Sequence, residues 1–215
     1  MPVQRPVPPE FLQAHTRIAR PTIVPEVQLH VADDVVGLWE AMEDEGGGAG
    51  EDPPFWAAAW PGGQALARYV LDHPETVAGR RVLDLGAGSG LVAVAALRAG
   101  ASGVLASDID PYSQTAVVVN AELNGVTGVT VTGDVLDEGP PDVDVVLAGD
   151  VCYDREMTSR VLPFLGAAWL AGAAVYLGDP GRAYVPTEGL VEQAAYDVPD
   201  AAGGPVRRTT VWRLP

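Results

Sequence analysis

The chain has 215 residues, a formal net charge of −16 and a pI near 4.3. That length suits one well-cored α/β domain with an N-terminal elaboration, and the acidic balance argues against a broad nucleic-acid footprint and for a cationic partner. Lysine is absent, so all 13 basic residues are Arg, and any proton acceptor has to be Asp, Glu, His, Tyr or water. The single Cys152 leaves no intramolecular disulfide and no multi-cysteine zinc site. No metal is expected, and without a signal-like N-terminus the expected location is cytoplasmic, with a monomer favoured.

The first nine residues are rich in proline and read as an irregular arm, followed by a short helical stretch from Glu10 to Ala19 that Pro21 ends. Val27 to Val31 reads as a short strand, and Asp33 as the N-cap of a helix running to about Glu43. Gly46, Gly47, Gly48 and Gly50 then lie among acids. That composition buries too little apolar surface to stay ordered, so a mobile loop is expected over 44–53. Residues 1–50 are therefore assigned to an N-terminal arm with helices, and 51–215 to the principal domain.

Pro53 to Gln64, PPFWAAAWPGGQ, crowds two Trp and a Phe into a frame of Pro and Gly. Two readings stay open. The segment is either an apolar plug under a sheet or a lid over a ligand, with Trp60 against it and Gly62 and Gly63 opening a helix whose amides meet a carboxylate. Leu66, Tyr69 and Val70 give that helix an apolar face.

Arg81 to Gly90, RVLDLGAGSG, places the rest of the chain. Val82, Leu83 and Leu85 form the apolar run of a buried parallel strand, then Gly86, Gly88 and Gly90 turn into a helix from Ser89 to Ala99. Glycine suits a sharp reversal with positive φ and lets a ligand reach the backbone. The dinucleotide pattern G-x-G-x-x-G needs a glycine where Leu91 stands, so that fit is imperfect. Asp84 is expected to point from the strand end towards whatever lies over the loop, and a carboxylate suits a cationic or amine-bearing ligand better than a pyrophosphate. With these residues on the page, VLDLGAGSG resembles the first motif of class I S-adenosylmethionine (SAM) dependent methyltransferases.

A second strand, Val104 to Ser107, ends in Asp108, whose carboxylate is placed to accept both ribose hydroxyls of an adenosine, in preference to capping a helix. Pro111 opens the next helix, which ends near Leu123. Val129 to Thr132 is a third strand, followed by Asp134. Class I methyltransferases commonly place an acid there near the adenine amino group, and a loop-solvating Asp is the alternative. Val143 to Ala148 is a fourth strand that delivers Gly149, Asp150, Cys152 and Tyr153 to the edge where open α/β sheets hold ligands. Cys152 reads as a buried small hydrophobe rather than a nucleophile. The uncharged run Val161 to Gly178 is long enough to raise a membrane span, but Pro163, Gly166 and Gly172 divide it, so it reads as a helix from Arg155 to Leu170 and a buried strand, Ala173 to Gly178. The polar turn Asp179, Pro180, Gly181, Arg182 follows at the same edge. A short helix near Thr187 to Val191 and strands Ala194 to Val198 and Val206 to Leu214 complete the chain. The last link is too short for a parallel crossover, so those two strands must pair antiparallel.

PFWAAAWPGGQALARYV, VLDLGAGSG, ASDIDP, AGDVCYD and GDPGRAY together resemble bacterial relatives of the electron-transfer-flavoprotein β-subunit lysine methyltransferase, within family 16 of the seven-β-strand methyltransferases, also often labelled nicotinamide N-methyltransferase-like. The resemblance covers about residues 50 to 215. It implies a Rossmann-like α/β fold with a seven-stranded, mostly parallel sheet, an antiparallel last strand and helices on both faces. It implies SAM as cofactor, S-adenosylhomocysteine as product and a basic protein carrying the acceptor lysine, with no nucleic acid and no membrane. The family's acid-x-x-aromatic motif falls on Asp150 and Tyr153, the expected catalytic pair. Trp60, Gly63, Asp84, Gly86, Gly88, Gly90, Asp108, Ile109, Asp134 and Gly149 are the expected cofactor contacts. GDVCYD lacks the Asn/Asp-Pro-Pro-aromatic sequence of enzymes that methylate base amines or a glutamine amide. A nicotinamide-like small-molecule amine, and a non-catalytic SAM-binding partner, are the remaining alternatives.

Overall fold

The fold is described from a computed structural model, over residues 7–46, 52–186, 188–199 and 204–215. The N-terminal part comprises α1 (Pro9–His15), β1 (Arg17–Ala19), β2 (Leu29–Val31) and α2 (Val35–Gly46). The first helix stops four residues before its expected end. Thr16 is extended, and Arg17–Ala19 instead pairs antiparallel with Leu29–Val31, because a β partner satisfies backbone groups that a lone exposed helix end leaves to water. The α2 cap is Asp34 rather than Asp33: Asp34 Oδ1 accepts from Gly37 N at 3.0 Å, while Asp33 pairs with Arg17. Of the loop expected over 44–53, residues 44–46 are the last turn of α2, and 47–51 lie outside the described residues.

After a 3₁₀ turn at Phe55–Ala57, α3 (Pro61–Asp72) leads through a second such turn into the sheet. Strands β3 (Arg81–Leu85), β4 (Gly103–Ser107), β5 (Val129–Thr132), β6 (Val145–Gly149) and β7 (Ala174–Asp179) are parallel. Between them run α4 (Leu91–Arg98), α5 (Pro111–Leu123) and α6 (Arg155–Leu170). β8 (Val191–Pro199) and β9 (Val206–Arg213) close the sheet, with β9 antiparallel to both β7 and β8. The order is β5-β4-β3-β6-β7-β9-β8, so the crossover direction reverses between β3 and β6. Ligand crevices of open α/β sheets lie beyond the strand ends at such a reversal.

Burial on both faces explains the apolar runs. Leu83 and Leu147 are fully buried, each worth roughly 1.5–3 kcal/mol relative to exposure. One face packs on α3, α4 and α5, the other on α6. The N-terminal part is fixed to α5 by two asparagines. Asn120 Oδ1 accepts from His30 N at 2.8 Å, and Asn124 Oδ1 accepts from Gln28 N at 2.9 Å while its Nδ2 donates to Gln28 O at 2.7 Å.

β6 starts at Val145, two residues later than expected, because Asp144 turns outward and its Oδ2 accepts from Arg81 N at 2.8 Å. α6 runs unbroken through Pro163, whose exposed ring faces away from the sheet-packed residues Val161, Phe164 and Leu165. No helix forms over the described residues 188–191: a turn leads directly into β8, whose pairing with β9 extends to Val191 across a bulge. Among the described residues no helix is long and apolar enough to cross a membrane.

Candidate active site

The glycine loop is built by backbone conformation. Gly86, Gly88 and Gly90 have φ of 68°, 52° and 75°, a region costly to residues with a Cβ. Gly86 N and Ala87 N both donate to Ser107 O, at 2.9 and 3.0 Å, which ties the loop to the end of β4. Asp108 completes that tie. Its Oδ2 accepts from Gly88 N at 2.8 Å and its Oδ1 from Asp110 N at 3.0 Å. The α5 N-cap is Asp110, which accepts from Tyr112 N at 2.8 Å, so Asp108 is left to face the crevice. Burial pushes the Asp108 carboxyl above the usual carboxylate range, against the pull of these amides.

A cavity of about 480 Å³ opens at the reversal between β3 and β6, within the roughly 300–1,000 Å³ typical of small-molecule sites. Of the residues singled out from the sequence, Trp60, Gly86, Gly88, Asp108, Ile109, Asp134, Gly149, Asp150 and Tyr153 line it. Gly63, Asp84 and Gly90 do not. Asp84 lies fully buried under the loop, where its Oδ2 accepts from Ala93 N at 2.9 Å, and burial pushes its carboxyl up to about 7. It supports the first turn of α4 instead of pointing at a ligand. Gly90 begins α4 and packs against Val117.

The aromatic segment divides between packing and the cavity. Trp56 is fully buried, not under the sheet but among Leu12, Leu38 and Met42 of the N-terminal part and Tyr112 of α5, on which it stacks with centroids 6.4 Å apart and planes within 6°. Phe55 is 57 % exposed, and it and Trp60 stand at the cavity, where Trp60 Nε1 donates to Phe55 O at 2.7 Å. The helix start behaves differently from expectation. The carboxylate met by the Gly63 amide is the protein's own Asp150, through Oδ2 at 2.8 Å.

Asp150 is the most constrained residue of the site. It has φ of 59°, in the left-handed region, and its N donates to Gly178 O at 2.9 Å. Its Oδ1 accepts from Arg182 Nη1 at 2.5 Å, and the same nitrogen donates to Asp179 Oδ2 at 3.0 Å. Burial pushes the Asp150 carboxyl up while the Arg182 charge opposes that rise. Tyr153, 54 % exposed, stands at the mouth, its phenol also pushed up by burial and by nearby acids. Cys152 is fully buried with its thiol raised to about 11, which suits an inert core residue.

Sequence reasoning missed the role of Arg182 and Asp179, and that of Arg160. Arg182 and Asp179 belong to the polar turn noted after β7. Their signal was that turn's position at the same sheet edge as Asp150. Arg160, on α6, lines the cavity and donates to Asp134 Oδ2 at 2.7 Å; Asp134 Oδ1 accepts from Leu136 N at 2.9 Å. Among the described residues no group of His, Cys, Asp and Glu is arranged to hold a metal ion.

These residues fit SAM. Glycines admit a ligand to the backbone, Asp108 lines the cavity at the end of β4, and Trp56 Nε1, on the cavity wall, is a buried donor with no acceptor among the described residues. A seven-stranded sheet of this order, carrying that loop and acid over one cavity, defines a class I SAM-dependent methyltransferase.

Comparisons with known proteins agree. The family profile described as ribosomal protein L11 methyltransferase (PrmA) matches residues 65–151. The electron transfer flavoprotein beta subunit lysine methyltransferase of Rattus norvegicus is 37% identical over 175 residues, covering 80% of this chain and 68% of the relative. That of Danio rerio is 46% identical over 132 residues, 60% of this chain and 51% of the relative. Among solved structures, the ribosomal protein L11 methylase from Lactobacillus delbrueckii subsp. bulgaricus aligns with a TM-score of 0.52 at 23% identity, covering 70% of this chain and 77% of that one, a likeness of fold. The chain belongs to the family of electron transfer flavoprotein β-subunit lysine methyltransferases, and its methyl donor is SAM.

Proposed function

We propose that the chain methylates lysine side chains of a basic protein substrate, with Asp150 and Tyr153 receiving the acceptor amine. Bound SAM supplies a methyl group on a sulfonium, and the sulfur leaves as the thioether of S-adenosylhomocysteine as the new N–C bond forms. Everything else is positioning: acceptor nitrogen, methyl carbon and sulfur must come into line, and most of the rate can come from that alignment.

The observation that carries this reading is that Asp150 lines the cavity together with Gly86, Gly88 and the exposed Tyr153. An anion there favours a cationic side chain arriving at the site and then orients the N–H bonds of the neutral amine. Tyr153 flanks the entering chain. The amine has to lose its proton before attack, and burial of the lysine helps by disfavouring its charged form. Asp108 at the end of β4 takes the ribose, the Gly86–Gly88 backbone lies beside it, and Asp134 with Arg160 borders the adenine. That the named relatives are lysine methyltransferases of the electron transfer flavoprotein beta subunit supports a protein lysine as acceptor.

The test is incubation of the protein with labelled SAM and a whole lysate, before and after protease digestion, followed by peptide mass spectrometry. Label on lysine in defined peptides supports the proposal. Label found only in the protein-free filtrate would identify a small-molecule amine as acceptor instead.

A further inference from the structure

We propose that Arg182 is a positioning residue for Asp150: with the Gly63 amide it clamps the carboxylate in one orientation and keeps it an ionised acceptor facing the methyl-acceptor end of the cavity. The inference rests on the reading of Asp150 as the group that receives the amine.

The clamp is anchored at its far end. Asp179 is 1 % exposed, and its Oδ1 accepts from the amides of Gly181 and Arg182 at 2.7 and 2.6 Å. That folds the turn after β7 so that the Arg182 guanidinium lies between Asp179 and Asp150. From the other side, Gly62 leaves no room for movement: a Cβ there would stand 2.7 Å from Asp150 Oδ2 and 2.8 Å from Asp150 N. The carboxylate is thus fixed by a guanidinium on one oxygen, a helix-N-terminal amide on the other, and its own backbone bond to Gly178.

Two chemical consequences follow. A carboxylate oxygen has two acceptor lone pairs, and here each oxygen has spent one on the protein. One on each remains for N–H bonds of an amine, so Asp150 can orient the acceptor's lone pair towards the methyl group. Second, the Arg182 charge opposes the rise that burial imposes on the Asp150 carboxyl, which favours the ionised, accepting form over the protonated one.

The charged groups that act most strongly on Asp150 are Arg182 and Asp179, both from the end of β7 and its turn, while Asp108, Asp154, Tyr153 and Arg160 line the same cavity. The first turn of α3, Pro61 to Gln64, and the glycine loop contribute backbone dipoles and no charged side chain. Removing Arg182 therefore leaves burial and Asp179 to favour the protonated carboxyl.

Two variants test this: Arg182→Gln and Arg182→Lys. The first readout is the titration of the Asp150 carboxyl by NMR with labelled aspartate, assigned by its loss in Asp150→Asn. The second is affinity for S-adenosylhomocysteine by calorimetry, and the third is the pH dependence of label transfer from SAM to lysate protein. Arg182→Gln is expected to move the Asp150 titration up by about 1 to 3 pH units. The acid limb of the rate should move with it, the S-adenosylhomocysteine affinity should stay within a few-fold, and Arg182→Lys should restore much of both. An unmoved titration in Arg182→Gln overturns the clamp. So does a loss of S-adenosylhomocysteine affinity that matches the loss of rate, which would make Arg182 a cofactor contact. If the wild-type chain labels no protein, the lysine reading fails by itself, and the titration still decides the clamp.

Discussion

Gly62 at the start of α3 and Gly178 near the end of β7 approach so closely that a Cβ on Gly62 would stand 2.2 Å from the Gly178 carbonyl oxygen, and one on Gly178 2.3 Å from the Gly62 oxygen. Gly149 joins the contact from β6, where a Cβ would lie 2.8 Å from Gly63 N. This glycine-on-glycine contact lets the helix N-terminus reach Asp150. Gly62→Ala must displace backbone rather than a flexible side chain, and overpacking of this kind costs about 1–3 kcal/mol or more. Thermal or urea unfolding should show that loss, and turnover should fall further than stability explains, because the Gly63 amide is drawn away from Asp150. Wild-type stability and rate in Gly62→Ala would contradict the contact.

Asp108 is expected to govern cofactor affinity. Asp108→Ala removes two charge-assisted hydrogen bonds to ribose and also frees the Gly88 amide, so binding of S-adenosylhomocysteine should weaken by roughly 2–4 kcal/mol. Because burial raises this carboxyl and its ionised form is the better acceptor, affinity in the wild type should also rise with pH above the usual carboxylate range before it levels off. Calorimetry at several pH values reads both effects. An unchanged dissociation constant in Asp108→Ala would remove it from the site.

Asp150→Asn and Tyr153→Phe should separate chemistry from cofactor binding. Both residues stand at the mouth side of the cavity, so S-adenosylhomocysteine affinity is expected to stay within a few-fold while turnover falls by about 10² or more. Full activity in both variants would show that neither residue handles the acceptor.

Much of this was legible because it rests on periodicity and turn chemistry. Val82, Leu83 and Leu85 followed by three glycines read as a strand and a turn, and the short link before Val206 forces the antiparallel β9. That Asp108 lines the cavity was legible because the strand end fixes where its carboxylate lies. Long-range partners decided the rest. Asp84 was expected at the ligand, but the residue's direction along the strand turns it under the loop to Ala93 N. Arg17–Ala19 has nothing local to mark it as a strand, since its partner at Leu29–Val31 supplies the bonds. The Gly63 amide was expected to meet a carboxylate, and only the packing of α3 on β6 and β7 identifies that carboxylate as Asp150. The Arg182 clamp depends on two segments far apart in sequence meeting at one edge.

Asp84 should make stability depend on pH. Its native carboxyl is pushed up to about 7, first by burial and then by Asp108, against the Ala93 amide, whereas an unfolded Asp titrates near ~3.9. Between those values the unfolded chain has lost a proton that the native chain keeps. This group's contribution therefore falls as pH rises, by at most ~1.4 kcal/mol per pH unit, and is constant above about 7. Urea denaturation of the ligand-free protein at pH 5 and pH 8 should show a smaller difference in Asp84→Asn than in the wild type. Identical differences would mean that Asp84 ionises normally.

The substrate reading makes a salt prediction. The chain carries −16, and acids gather at the cavity, where Asp52, Asp110 and Asp154 line it beside Asp150. A basic protein surface presenting a lysine is attracted over distances of about a Debye length, close to 10 Å at 0.1 M salt and much longer at low salt. Methylation of a macromolecular acceptor should therefore slow as salt rises from about 20 to 300 mM, through KM rather than kcat, since screening weakens encounter and leaves the aligned complex unchanged. A small neutral amine such as nicotinamide gains nothing from that field, and its rate should be nearly flat over the same range. Initial rates with labelled SAM and the lysate protein fraction, measured at four or five salt concentrations with S-adenosylhomocysteine affinity checked at each, distinguish the two cases. A flat profile with unchanged cofactor affinity would argue against electrostatic recruitment of a basic protein.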